Sequence, residues 1–299
     1  MVGHRKSDFL NDLRGRFGPF AKFSNSQSLF ENGENGVRLY IRYSKKHKRN
    51  QAFYGLRQID LQMLEGHESY ICFLWDDQSN PLIIPFSDFE EVFRNLSPAG
   101  DGQYKVQVYD QLSGIELYIA NAGRFNVESY IGWQILELAI AEKHDAIPTL
   151  THHQVQTLLG LIGSKKGYDI WIPQNDRARL DSSFSGTCTL SSELPVSLNP
   201  IKEIVENIDV IWIKKGAAAS AFFEVEHSTP IYSGLLRFND VWLLGPLPNT
   251  RFGIVSNDER RELFVRQINR PTFKSSGLSE CCNFFEYQNV FNWYRRLKL

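Results

Sequence analysis

The sequence predicts an α/β protein of the α+β kind in two domains: a mainly β N-terminal half, then a half in which helices and strands alternate. Three observations carry this. The first 120 residues hold short aromatic and β-branched runs divided by turn signals. From residue 149 onward, apolar spacings of three and four alternate with short extended runs. The chain has 299 residues, 42% of them hydrophobic, which suffices for two sizeable cores.

Residues 1–18 are polar and basic, with Arg5, Lys6, Arg14 and Arg16 on a weakly amphipathic pattern. Strands are expected at 37–43, 70–75, 104–109 and 115–119, where β-branched and aromatic side chains concentrate. Pro81-Leu82-Ile83-Ile84-Pro85 leads into Ser87-Asp88-Phe89-Glu90, a helix start with Val92 and Phe93 behind it. A longer helix is expected over 126–143, with Ile131, Ile135, Leu136 and Leu138 in its core. His144-Asp145-Ala146-Ile147-Pro148 then divides the halves, residues 1–145 from 146–299.

One N-terminal stretch is chemically pointed. No acid lies between Glu34 and Asp60, whereas Arg38, Arg42, Lys45, Lys46, Lys48, Arg49 and Arg57 all do. Tyr40, Tyr43, Phe53 and Tyr54 are interleaved with them. Cations mixed with aromatics suit phosphate attraction and base or sugar stacking, so this stretch is a candidate nucleic-acid contact. A solvated hairpin tip is the plainer alternative.

The C-terminal half opens on a helix over 149–163, with Val155, Leu158, Leu159 and Ile162 apolar and Thr149 or Thr151 as cap. His152 and Gln156 stand four apart on one flank. Strands follow at 168–173 and 207–213, and residues 214–220, with Gly216, can turn the chain into a third strand at 222–226. Ser228-Thr229-Pro230 begins a helix over 231–241, with Thr229 as cap and Arg237 on its surface. A strand at 251–255 and a helix over 258–268 complete the order.

Three acids interrupt the apolar strands. Glu224 and Glu226 are two apart and therefore leave one face of their strand, about 7 Å apart. Asp209 falls opposite Glu224 if the turn tip is at Gly216 and Ala217. Such carboxylates repel and lose hydration unless a cation compensates them, and three oxygens together suit hard Mg²⁺ or Mn²⁺.

In Ile208-Asp209-Val210 followed by Glu224-Val225-Glu226, the chain resembles the PD-(D/E)XK nuclease superfamily. That resemblance implies a restriction-endonuclease-like α-β-β-β-α-β core and a Mg²⁺-dependent deoxyribonuclease of type II-like character. It covers about half the chain. Asp209 and Glu224 would ligate Mg²⁺, Glu226 would hold metal or take a proton, and His152 and Gln156 would orient the site. Arg237 would meet phosphate. Glu226 departs from the pattern, because most members carry Lys there. The alternative reading is a nucleic-acid-binding or sensing protein with this fold that does not cut. Cleavage of both strands favours a homodimer.

The remaining features set bounds. A net charge of −1 excludes a globally basic nucleic-acid binder, so attraction to DNA must come from local patches. Four cysteines without metal spacing read as free thiols in a reducing compartment. No apolar run approaches a membrane span and no signal core is present, so a soluble cytoplasmic protein is expected. Walker, G-x-S-x-G and HExxH motifs are missing. Acids two apart on one strand also ill suit a glycosidase, whose carboxyls flank the scissile bond.

Overall fold

The computed structural model describes residues 4–23, 26–34, 36–47, 50–111, 114–141, 147–214, 219–244 and 250–297. The chain divides into two compact units, Met1–His144 and Asp145–Leu299.

The N-terminal unit starts with α1 (His4–Phe17), β1 (Phe20–Lys22), β2 (Leu29–Asn32) and β3 (Arg38–Ser44). It continues through β4 (Lys46–His47), β5 (Gln51–Arg57), α2 (Gln58–Gln62), β6 (Ser69–Trp75), β7 (Leu82–Pro85) and α3 (Phe86–Arg94). β8 (Gln103–Gln111), β9 (Gly114–Ile119), β10 (Gly123–Asn126) and α4 (Gln134–Ala141) end it. Two five-stranded sheets result, ordered β1-β2-β3-β6-β7 and β10-β9-β8-β5-β4. Strand alternation assigns their faces. Tyr40, Ile71 and Phe73 of the first sheet share a core with Ala52, Tyr54, Val106 and Leu117 of the second. Leu39, Ile41, Cys72 and Leu74 turn the other way, onto Phe9 and Leu13 of α1. β6 is thus covered on both sides, which explains its unbroken apolar run.

The helix expected over 126–143 is not formed as one element. Residues 123–126 belong to β10, Glu128–Tyr130 make one tight turn, and helix resumes only at Gln134. Gly132, at φ 106°, breaks the pattern. Leu136 is buried as expected, but Leu138 is 60% exposed.

The C-terminal unit runs α5 (His152–Lys165), β11 (Tyr168–Trp171), α6 (Gln174–Arg177), α7 (Lys202–Val205), β12 (Val210–Lys214), β13 (Ala219–Val225), α8 (Ile231–Leu243) and β14 (Arg251–Ser256). After these come α9 (Arg261–Ile268), α10 (Pro271–Ser276), α11 (Leu278–Cys281), β15 (Cys282–Glu286) and α12 (Tyr287–Arg296). One sheet holds the strands in the order β11-β12-β13-β14-β15. β11, β12 and β13 are antiparallel neighbours, whereas β14 and β15 add in parallel. The leading elements therefore follow the expected helix, three-strand meander, helix, strand order, with short helices inserted before β12.

Each face of this sheet has its own helices. Val155, Leu158 and Ile162 of α5, with Val290 and Trp293 of α12, pack on Val210, Trp212, Phe223 and Val225. Ile231, Leu235 and Phe238 of α8 pack on Ile211, Phe222, Phe252 and Ile254. α5 approaches closely because Gly163 has no side chain: a Cβ there would lie 2.5 Å from Trp212 Nε1. That indole instead donates to Leu159 O at 3.0 Å. Thr151 caps α5 in a reciprocal box with Gln154.

All four cysteines are unpaired. Among the described residues no helix is long and apolar enough to cross a membrane.

Candidate active site

The acids sit where the central strands end. Val210 pairs with Phe223, and continuing that antiparallel register by one step sets Asp209 opposite Glu224. The register shifts only farther along, between Trp212 and Ile213. The tip residues 215–218, including Gly216, lie outside the described residues. Asp209 itself precedes β12, and its Oδ2 accepts from Val225 N at 2.7 Å.

α5 delivers two side chains to Asp209. His152 Nε2 lies 3.3 Å from Asp209 Oδ1, and its Nδ1 lies 3.1 Å from Val225 O. Both neighbours accept hydrogen bonds, so the doubly protonated ring satisfies both. The hydrogen bond with Asp209 accordingly pushes the His152 pKa up against its partial burial. Gln156 is fully buried and donates to Asp209 O at 2.9 Å and to Asp176 Oδ2 at 3.4 Å. It links two acids from different elements. His152, Asp176 and Asp209 form a group whose ligand atoms all lie within 4.8 Å of one another.

Glu224 and Glu226 face α8. Arg237 grips Glu224 with two hydrogen bonds, Nε to Oε1 at 2.6 Å and Nη2 to Oε2 at 2.9 Å. The Glu224 side chain is 2% exposed. Its pKa rises to about 8, because burial outweighs the arginine and the Asp209 and Glu226 charges add to it. Glu226 Oε2 accepts from Thr229 Oγ1, while Oε1 is buried and accepts no hydrogen bond among the described residues. Burial is also the main cause that raises the Glu226 pKa. Gly234 makes this packing possible, since a Cβ there would stand 2.7 Å from Glu226 Oε1. The Glu226 main chain is tied to the next strand: its N donates to Val255 O, and its O accepts from Ser256 Oγ and Arg260 Nη1.

Several expectations are adjusted by this geometry. The converging ligand trio contains Asp209 but not Glu224, whose two oxygens are taken by Arg237. Arg237, expected at a phosphate, is engaged with an acid instead. Thr229 does not cap α8; Pro230 holds that position without a side-chain bond, and the Thr229 hydroxyl serves Glu226. Sequence reading missed Asp176 and Gly234. A short Pro173-led helix turn was the only local signal for Asp176, and only the fold brings it to Gln156.

In the N-terminal unit the cationic stretch is not one surface. Arg38, expected at DNA, is 2% exposed and bonds Glu31 at 2.9 Å, Met63 O at 2.6 Å and His67 Nδ1 at 3.0 Å. It opens an inner strand whose face is covered, which makes it structural. Arg42 is half-buried over the Tyr40 ring, Lys46 pairs with Asp110 at 2.8 Å, and Arg57 lies 4.0 Å from Asp60. Lys45 is exposed. Lys48 and Arg49 lie outside the described residues.

A family model, the type II restriction enzyme NmeDI C-terminal domain, matches residues 137–298. A relative, the type II restriction enzyme NmeDI of Neisseria meningitidis serogroup C, is 36% identical over 151 residues. The match spans 48% of this chain and 42% of that relative's length. No solved structure matches. Residues 137–298 are more than half of the chain and contain every acid of the site; the chain belongs to the family of the type II restriction enzyme NmeDI C-terminal domain.

Proposed function

We propose that the chain is a restriction-type, divalent-metal-dependent DNA endonuclease with a PD-(D/E)XK-like core. The observation that carries this is the opposition of Asp209 and Glu224 across β12 and β13, with Glu226 two residues on, inside the matched family region. The helix–meander–helix–strand order supports the same superfamily.

The residues fit a hard cation. Glu224 keeps a raised pKa despite Arg237, and Glu226 Oε1 is buried without a hydrogen-bond donor among the described residues, so the cluster is under-compensated. Asp209 and Glu224 would hold Mg²⁺ or Mn²⁺. Asp176 is a further carboxylate donor beside Asp209, while His152, doubly protonated against Asp209 and Val225 O, serves the site through hydrogen bonds. Bound there, the ion would polarise the scissile phosphate and acidify water.

The chain's own residues do the rest. Gln156 fixes the Asp209 main chain and Asp176 relative to each other. The His152 imidazolium orients one Asp209 oxygen, and Val225 N–H orients the other. Glu226 accepts a proton at Oε1, the oxygen that Thr229 leaves open. The N-terminal unit would supply DNA contacts through Lys45 and Arg57, and a soluble cytoplasmic homodimer would cut both strands.

Incubating unmethylated phage DNA and supercoiled plasmid with and without Mg²⁺ tests this reading. Discrete metal-dependent fragments are expected. Intact DNA under Mg²⁺ and Mn²⁺ alike would favour the second reading, a non-cleaving DNA-binding protein. The observation behind that reading is Glu226 at the usual lysine position, with Arg237 closing on Glu224.

A further inference from the structure

Arg237 is the cation nearest the two buried glutamates. Its guanidinium meets both oxygens of Glu224 and lies 4.0 Å from Glu226 Oε1, an oxygen with no hydrogen-bond donor among the described residues. Gly234, three residues earlier on the same face of α8, leaves the room that this approach requires. The Arg237 side chain is 31% exposed, whereas Glu224 and Glu226 are 2% and 3% exposed. The guanidinium thus lies between the acids and solvent.

We propose that Arg237 is a displaceable internal cation, which occupies both Glu224 oxygens until a divalent cation takes that carboxyl group and then turns outward to a DNA phosphate. This rests on the proposed nuclease reading and extends it, making one side chain the coupling between cation and DNA binding.

The chemistry is competitive. A cation that ligates Glu224 must strip at least one of its two hydrogen bonds, and a dication beside a guanidinium repels it. The freed arginine reaches water without unpacking the core, because it is already part-exposed. A phosphate accepts the same bidentate fork that a carboxylate does. Cation and DNA then strengthen each other's binding reciprocally.

The test measures affinity for a fluorescent duplex at fixed ionic strength, with and without Ca²⁺, on the full chain. In the wild type, Ca²⁺ should tighten binding by roughly tenfold. Arg237→Gln should remove most of that gain. Glu224→Gln should tighten binding without Ca²⁺, since it breaks the bidentate hold on the arginine, and do so more than Glu226→Gln, the same exchange at the neighbouring acid. The Glu224→Gln gain should vanish in the Arg237→Gln background, which a general charge effect would not produce. Arg237→Lys, lacking the fork, serves if Arg237→Gln does not fold, and should lose part of the gain. A full Ca²⁺ gain in Arg237→Gln or Arg237→Lys overturns the proposal while sparing the nuclease reading. Absence of Ca²⁺ and Mn²⁺ binding to the wild type by calorimetry overturns both.

Discussion

Two charged regions of this chain show opposite ways of holding like charges together. The N-terminal cations are spread along strands, and three of them each meet their own acid: Lys46 with Asp110, Arg57 with Asp60, Arg38 with Glu31. The C-terminal acids are crowded at the end of one hairpin, where Arg237 and His152 must serve Asp209, Glu224 and Glu226 together. Scattered charges settle into ordinary ion pairs. Crowded, buried ones do not, and Glu224 remains hard to ionise even in a bidentate pair. The contrast teaches where to look for chemistry: not at the densest run of charge in the sequence, but where charge outnumbers its compensation.

The largest effect that could break this contrast is at the acids. Asp209→Ala and Glu224→Ala should each lower metal-dependent plasmid cleavage by about a thousandfold or more while DNA retention persists. Normal cutting by either variant would put the centre elsewhere.

Arg38→Ala comes next. Its buried guanidinium bonds Glu31, Met63 O and His67 Nδ1, so deleting it removes several contacts at once and a loss of about 3 kcal/mol in denaturant unfolding is expected. A neutral result would return Arg38 to the surface group. Gly163→Ala should cost about 2 kcal/mol, because the new methyl meets the rigid, buried Trp212 ring as well as the end of the Ile170 side chain.

Metal-free stability should also fall as pH rises. Glu224 moves from an ordinary 4.5 to about 8 in the fold, so between those values the native state holds a proton that the unfolded chain releases. His152 acts in the same direction: its raised pKa stabilises below the unfolded value near 6.5, and that contribution is lost as pH climbs through the folded one. Melting scans from pH 5 to pH 9 in chelator should show a declining midpoint, flattened by Glu224→Gln and offset by Mg²⁺. A midpoint rising with pH would mean that the acids are fully compensated.

The smallest effect is expected at Lys45 and Arg57. Replacing both by Ala should weaken DNA binding a few-fold and reduce its salt slope by about 2, with stability unchanged within about 0.5 kcal/mol. An unchanged slope would remove the N-terminal strands from the DNA interface.

The elements legible from sequence are those with strong local periodicity. The α5 helix declares itself through Val155, Leu158, Leu159 and Ile162 and a threonine cap, and β13 through an aromatic run interrupted by acids. The order of α5, three strands, α8 and β14 followed from these. Where a single glycine decides, periodicity misled: Ile131 and Ile135 look helical until Gly132 breaks the run. β15 and α12 went unread, because Cys282–Phe285 is a short apolar stretch that becomes a strand only beside β14. Within the site, the acids were visible through their spacing. Asp176 and Gly234 were not, since they depend on which helix the fold lays over the sheet.

The main chain at Glu226 is anchored by Val255, Ser256 and Arg260 through its own N–H and carbonyl groups. Position 226 is therefore held by its main chain as well as by its side chain. Those three main-chain ties would survive a change of side chain, so the backbone alone does not dictate which group this position presents.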